Sequence, residues 1–509
     1  MRIPFILLAA GLLMSFTGGT ETPPEKSKLY VANHENVLGT SFEIKIDALT
    51  NAGAQKAELA ALSEIDRLNK ILSGYDANSE FSRWMRAPKT PVKVSAELYD
   101  VLALFDTWRK KTHGALNVSA ETINKLWRNA AAKKTLPSSG ELKAALALVN
   151  QQHYILDNAK HTALRTDDAA LMLNSFTKSY IMDKAAKSAM AVNGVNGMVL
   201  NIGGDILIRG QHTEQINVSD PKADYENATP IAQLKVSGQT VATSGSYRRG
   251  EEINGVWYSH IIDPRTGNPS NGVISATVVA PNATDAGALA TALNVLNPSE
   301  AENLVATVPG AEFMLITTSG KRMESPGWKK MELPSEKTEV KMLPATVLKQ
   351  SWDPNYELAI NFELATQPGM RVNRPYIAVW VVDADKKPVR QIALWMRADK
   401  EKYVWDLRSW YAVYYKDLIN DNPIVTSTTS ATRSAGKYSL KWDGKDDKGN
   451  LVKQGLYTLF IEAAREHGTH QLMTQDIKIS KAEPQHFDLQ GNVEVSSASI
   501  DLRKKADGQ

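Results

Sequence analysis

Five short stretches carry groups suited to holding an anion and moving a proton. Asn201-Ile202-Gly203-Gly204-Asp205 follows an apolar run, Met198 to Leu200, that reads as a buried strand. Paired glycines after a strand let backbone approach a ligand closely, and Asp205 stands beside them. Lys178 opens a helix, where its ammonium, the free first-turn N–H groups and the helix dipole all suit an anion. Residues 242–248, Ala-Thr-Ser-Gly-Ser-Tyr-Arg, put small residues and the Ser244 hydroxyl at a turn. His260 lies three residues before the turn-forming Asp263-Pro264, and an imidazole can take up a proton near neutral pH. Asp285 and Thr291 supply oxygen to the fifth stretch. Side chains four apart share a helix face and can grip one cation. These two are six apart, about 240° round a helix, so Asp285 would have to reach in from an N-terminal turn. Its other reading is a helix N-cap.

The elements that must position these groups follow from periodicity. A Gly turn at Leu38-Gly39-Thr40 leads into an alternating strand ending at Ile46. Leu59, Leu62, Ile65, Leu68 and Leu72 recur at three- and four-residue steps, which predicts an amphipathic helix over 54–72. A polar loop, Ser73-Gly74-Tyr75 to Ser79-Glu80, ends it. Ser95 and Glu97 in cap and first-turn positions predict a second helix over 95–112, followed by Gly114-Ala115-Leu116-Asn117. Beyond a polar, Pro-bearing linker at 331–347 the pattern changes to period two, and six of the eleven Trp lie after residue 350. Strands are expected at 358–364, 376–382, 389–396 and 455–462, with a double turn at 442–450. The last residues, 486–509, read as a disordered tail.

In order and spacing these motifs resemble the ApbE family of FAD:protein FMN transferases, over roughly residues 30–330. The resemblance implies an α+β transferase fold at 28–330 that moves FMN from FAD onto a Ser or Thr hydroxyl of another protein and releases AMP. Leu38, Gly39 and Thr40 match the family's Met-Gly-Thr, and Ser73 and Tyr75 its pocket loop. Ala115, Leu116 and Asn117 match Gly-Ala-Phe-Asp. With Lys178, Gly203, Gly204, Asp205, Ser244 and Ile261, these are the FAD contacts the resemblance implies. It also implies His260 as the base on the acceptor hydroxyl and Lys178 on the diphosphate. Mg²⁺ would be held by the main-chain carbonyl of Ser175, with Asp285 and Thr291. Four places depart from the pattern. Asn117 replaces an Asp. Met172 replaces the Asp, and Asn174-Ser175 the Gly-Gly, of Asp-Leu-Gly-Gly-Ile-Ala-Lys-Gly-Tyr-Ala-Val-Asp. Gly287 replaces the Asp of Ala-Asp-Ala-Leu-Ala-Thr. The lost acids keep open a second reading, a catalytically weakened FAD-binding or interaction protein.

Family acceptors resemble Asp-x-x-Ser-Gly-Ala-Thr, with FMN on the final Thr. Residues 426–432 end in Ser-Ala-Thr within a polar stretch expected to be an exposed loop, which makes Thr432 a candidate flavin acceptor. The second domain, 348–485, resembles an immunoglobulin-like sandwich with a Trp-Asp-Gly…Gly-x-Tyr signature, and also an uncharacterised domain fused to ApbE-type transferases.

Composition sets the surroundings. A length of 509 residues calls for two or three domains, and 43% hydrophobic with 23% charged residues is ordinary for a globular protein. Net charge is +3 with acids and bases interspersed, which argues against a nucleic-acid partner. Residues 1–19 read as a secretory signal: Arg2, then an apolar core from Ile6 to Phe16, then Thr17-Gly18-Gly19. The absence of Cys excludes disulfides and an acylated cysteine. The expected home is the periplasm or the outer face of the cytoplasmic membrane, near the membrane without spanning it. The partners expected there are FAD and an exported acceptor protein with a Ser/Thr flavinylation motif.

Overall fold

A computed structural model describes residues 27–246, 249–334, 351–369, 371–397, 401–419, 429–466, 468–480 and 483–505. The expected signal, residues 335–347 of the expected linker, and Tyr247 and Arg248 lie outside them. Residues 331–334 belong to the first domain rather than to a linker: Leu333 N–H donates to Gln233, and Glu332 pairs with Arg322.

The first domain is built on an eight-stranded sheet whose strands lie in chain order, every neighbour antiparallel. They are β1 (Lys28–Val37), β2 (Thr40–Ala48), β3 (Val195–Ile202), β4 (Asp205–Gly210), β5 (Thr240–Gly245), β6 (Val273–Ala280), β7 (Glu312–Thr317) and β8 (Arg322–Glu324). Side chains alternate across a strand, so both faces can be apolar only if both are covered. On one face Met198, Leu200, Ile202, Val278 and Leu315 join the helical core. On the other, Val199, Ile208, Val241, Val279 and Met314 pack on the hairpin Thr213–Val218/Ala232–Ser237 and on Trp328.

Among the described residues eight α-helices belong to this domain: α1 (Asn51–Leu72), α2 (Glu80–Arg86), α3 (Ala96–Lys111), α4 (Ala120–Lys133), α5 (Ser139–Val149), α6 (Thr177–Met190), α7 (Ala283–Leu293) and α8 (Pro298–Ala306). α1 begins three residues before the expected start, because the Thr50 hydroxyl accepts Gly53 N–H at 3.0 Å and adds a turn before the first Leu. α3 is flanked by Ser95 and Thr112, the expected bounds, with the Ser95 hydroxyl accepting from Leu98 N–H. α7 is capped by Asn282, not by Asp285, which sits in the first turn and donates its N–H to the Asn282 side chain at 3.2 Å. Ala283, Ala286, Gly287 and Ala290 keep α7 thin enough to lie between α6 and the sheet.

The second domain is a two-sheet sandwich. One sheet runs Gly436–Trp442, Tyr356–Leu364, Val495–Lys504, Gln485–Leu489. The other runs Thr429–Ser430, Pro388–Trp395, Tyr376–Asp383, Gly455–Ala464, His470–Ile479, antiparallel except at Thr429–Ser430. Trp352, Ile360, Val379, Trp395, Trp442, Ile461 and Ile500 fill the space between them. The outer face of the second sheet is covered by α9 (Arg408–Ile419), through Trp410 and Tyr414. Glu462 is fully buried yet accepts from the N–H groups of Ser409 and Trp410 at the α9 N-terminus, both 2.8 Å, and from His470. The expected disordered tail is a correction: Val495–Lys504 pairs along its length with Tyr356–Leu364 and buries Val495, Ala498, Ile500 and Leu502. Of the tail only residues 506–509 lie outside the described set.

Candidate active site

A cavity of about 880 Å³ opens where the β3–β4 turn, the start of α6, the inner face of α7, the start of α4 and the hairpin Gly250–Ile253/Val256–Ser259 converge. Gly203 and Gly204 form the two-residue turn, at φ 60° and 97°. A Cβ at Gly203 would lie 2.8 Å from Thr40 Oγ1. The 38–40 segment therefore supports the glycine loop from behind. Leu38, Gly39 and Thr40 are outside the cavity wall.

Lys178 and Asp205 face each other across the floor. Burial pushes the Asp205 carboxyl up to about 6, against the pull of Lys178 and of a hydrogen bond from Thr243 N–H. α6 has no side-chain cap at Phe176, so its first-turn N–H groups remain available beside Lys178.

His260 Nδ1 lies 2.9 Å from the Arg249 carbonyl, which fixes the proton on Nδ1 and leaves Nε2 as an acceptor. Desolvation by the pocket walls, and then the Arg249 charge, lower its pKa from the ordinary 6.5. The turn after it is clamped: Arg265 pairs with both Asp263 oxygens and with Glu300. Tyr258, two residues before His260, packs on Trp127 with the rings tilted and their centroids 5.0 Å apart, and the Trp127 indole donates to the Gly267 carbonyl.

Of the other expected residues, Ala115, Leu116, Ser244 and Ile261 line the cavity. Tyr75 stands at the mouth, 80% exposed, its hydroxyl accepting from Asn174 Nδ2 at 2.7 Å. Ser73 is not in the wall: its hydroxyl accepts from Tyr75 and Asp76 N–H and so shapes the loop that presents Tyr75. Asn117 lines the wall, but its side chain is spent on structure, accepting from Ser119 and donating to the Val149 carbonyl at 3.2 Å. A carboxylate could not make that donation.

The expected metal set does not assemble. Thr291 Oγ1 donates to the Ser175 carbonyl at 3.0 Å, as a shared site would require. Asp285 is outside the cavity wall, and burial raises its pKa against the pull of the Lys111 charge. Asp285 stands about 200° round the helix from Gly287, the α7 residue on the cavity side one turn before Thr291. Among the described residues no group of three His, Asp or Glu is placed to hold a metal ion.

Thr432, expected exposed, is 3% exposed, and its hydroxyl finds no hydrogen-bond partner among the described residues. A modifying enzyme cannot reach it in this fold. Residues 426–428 lie outside the described set. Arg249, Asn174 and Ser179 were missed from sequence. Arg249 acts through its carbonyl, which no side-chain pattern reveals, and Ser179 gains meaning only from its contact with α7.

The fold and cavity together are those of a flavin transferase, and the chain belongs to the ApbE family, which matches residues 38–315. A second family, described as "Predicted periplasmic protein (DUF2271)", matches residues 357–497. The FAD:protein FMN transferase of Escherichia coli K12 is 29% identical over 335 residues, 63% of this chain and 94% of that protein. That of Vibrio cholerae is 30% identical over 310 residues, 58% and 88%. The crystal structure of the ApbE protein from Thermotoga maritima superposes with a TM-score of 0.54 at 27% identity, covering 60% of this chain and all of that one.

Proposed function

We propose that this chain transfers FMN from FAD to a Ser or Thr hydroxyl of an acceptor protein. The observation that carries the mechanism is His260, locked by Arg249 with Nε2 free, in the same cavity as Lys178 and the uncapped start of α6. The acceptor hydroxyl oxygen attacks the FMN phosphorus. Its proton passes to His260 Nε2. The bond from that phosphorus to the bridging oxygen breaks, and AMP leaves with its charge facing Lys178 and the α6 amides. The glycine turn lets FAD lie against the backbone, and Tyr75 and Asn174 border the opening. Because the residues for Mg²⁺ do not come together, no step here passes through a metal. The second family's description supports a periplasmic setting, and no helix of the described residues is long and apolar enough to cross a membrane.

The test is incubation of the purified protein with FAD and an acceptor peptide, reading AMP release and an FMN-sized mass gain. Lys178→Ala should weaken FAD binding, whereas His260→Ala should bind FAD and lose turnover. Full turnover by His260→Ala at saturating FAD would remove the base assignment.

A further inference from the structure

We infer that the cavity floor between α6 and α7 holds the FAD diphosphate directly, through Lys178, Ser179 and the first-turn amides of α6, without a carboxylate-held divalent cation. This rests on the flavin reading above. Residue 287 is the place on α7, one turn before Thr291 on the cavity side, from which a carboxylate could join Thr291 and the Ser175 carbonyl around an ion. That place is closed. A Cβ at Gly287 would lie 2.3 Å from Ser179 Oγ and 3.1 Å from Ser179 Cβ. The Ser179 hydroxymethyl therefore fills the volume a side chain at 287 would enter. In the family pattern quoted above the same two places carry Gly and Asp, so the pair here is exchanged as a unit: the bulk moves from α7 to α6, and an acid becomes a hydroxyl.

The exchange changes what the floor can bind. A carboxylate there would repel a diphosphate unless a cation lay between them. A hydroxyl can donate to the phosphate itself. Ser179 lines the cavity, Lys178 adjoins it, and the first-turn amides of α6 carry no side-chain cap, whereas the Thr291 proton is taken by the Ser175 carbonyl. These supply the positive potential and donors that a bridging ion would otherwise supply.

The experiment uses the full chain and two readouts other than turnover: FAD affinity by flavin fluorescence, in EDTA and in excess Mg²⁺, and Mn²⁺ binding to the FAD-saturated protein by electron paramagnetic resonance. Wild-type affinity should agree within about twofold between EDTA and Mg²⁺, with no Mn²⁺ retained. Ser179→Ala, which keeps most of the bulk, should lose roughly tenfold in affinity under both conditions, the loss expected for a hydrogen bond to a charged group. The double variant Ser179→Gly/Gly287→Asp should become Mg²⁺-dependent in FAD binding and retain Mn²⁺. Gly287→Asp alone, crowded by Ser179, should not. Wild-type protein that binds FAD about tenfold or more tightly with Mg²⁺, or retains stoichiometric Mn²⁺, would overturn the inference and leave the flavin reading standing. Failure to bind FAD under either condition would overturn both.

Discussion

His260 shows how a single side chain acquires a direction. Its Nδ1 proton is tied to a backbone carbonyl, and partial desolvation at the cavity wall lowers its pKa from 6.5, which favours the neutral ring at pH 7 with Nε2 as acceptor. The sign for activity follows: a base must be unprotonated, so the transfer rate should rise through a pKa below 6.5 and be level by pH 7. Removing the ring should lower the rate by about 100-fold or more and erase that acidic limb. A rate–pH profile at saturating FAD checks both, and a limb that persists in His260→Ala would assign it elsewhere. At this scale the sequence was most legible where a residue acts through its own local chemistry. Gly203-Gly204 needs positive φ, Lys178 opens a helix, and His260 precedes a fixed turn. Asn117 was less legible. It looked like an acid that had lost its charge, but its amide donates to a carbonyl at 3.2 Å, a role visible only once the Val149 end of α5 folds back on it.

Helices with strong periodicity were legible to within a turn: α1 starts three residues early, and α3 lies between its expected caps. The strand Val495–Lys504 was not. Its buried positions include a small residue, Ala498, and its outward positions are serines and charges, so the alternation is weak in the letters and strong only after both neighbours pair with it. The spacing of Asp285 and Thr291 likewise predicted trouble for a shared cation without revealing that Ser179 had taken the vacant volume. Between elements, His212 carries a checkable pH effect. It joins Asp47 on β2 to Glu214 on the strand Thr213–Val218, with Lys45 also on Glu214. The hydrogen bonds it donates to Asp47 and then to Glu214 raise its pKa from 6.5 to about 9. A raised histidine gives its full stabilisation below 6.5 and loses it as pH rises through about 9. The thermal midpoint should therefore fall between pH 7 and pH 10, and fall less in His212→Asn. Equal slopes in the two proteins would remove this link between β2 and the outer hairpin.

Among the described residues the two domains meet through polar contacts. The Arg374 guanidinium lies 3.1 Å from Glu35 on β1, Arg397 Nη2 donates to the Val31 carbonyl at 2.5 Å, and Glu226 N–H donates to Ser439 at 2.7 Å. Arg374 is almost fully buried there, and removing one partner of such a pair costs on the order of 3 kcal/mol. Arg374→Ala should lower the thermal midpoint by several degrees and separate the melting of the two domains in calorimetry; an unchanged single transition would show that the interface contributes little. The placement of the last strand has a further consequence, for synthesis. Val495–Lys504 lies between Tyr356–Leu364 and Gln485–Leu489, so the first described strand of the second domain waits for a partner that emerges long after it. Its sheet closes over a separation of some 140 residues, a pairing of high contact order that forms slowly. A growing chain can complete the transferase domain once residue 334 has emerged, but the sandwich must remain open until residue 504 has followed it, and translation itself sets the order in which the two domains fold.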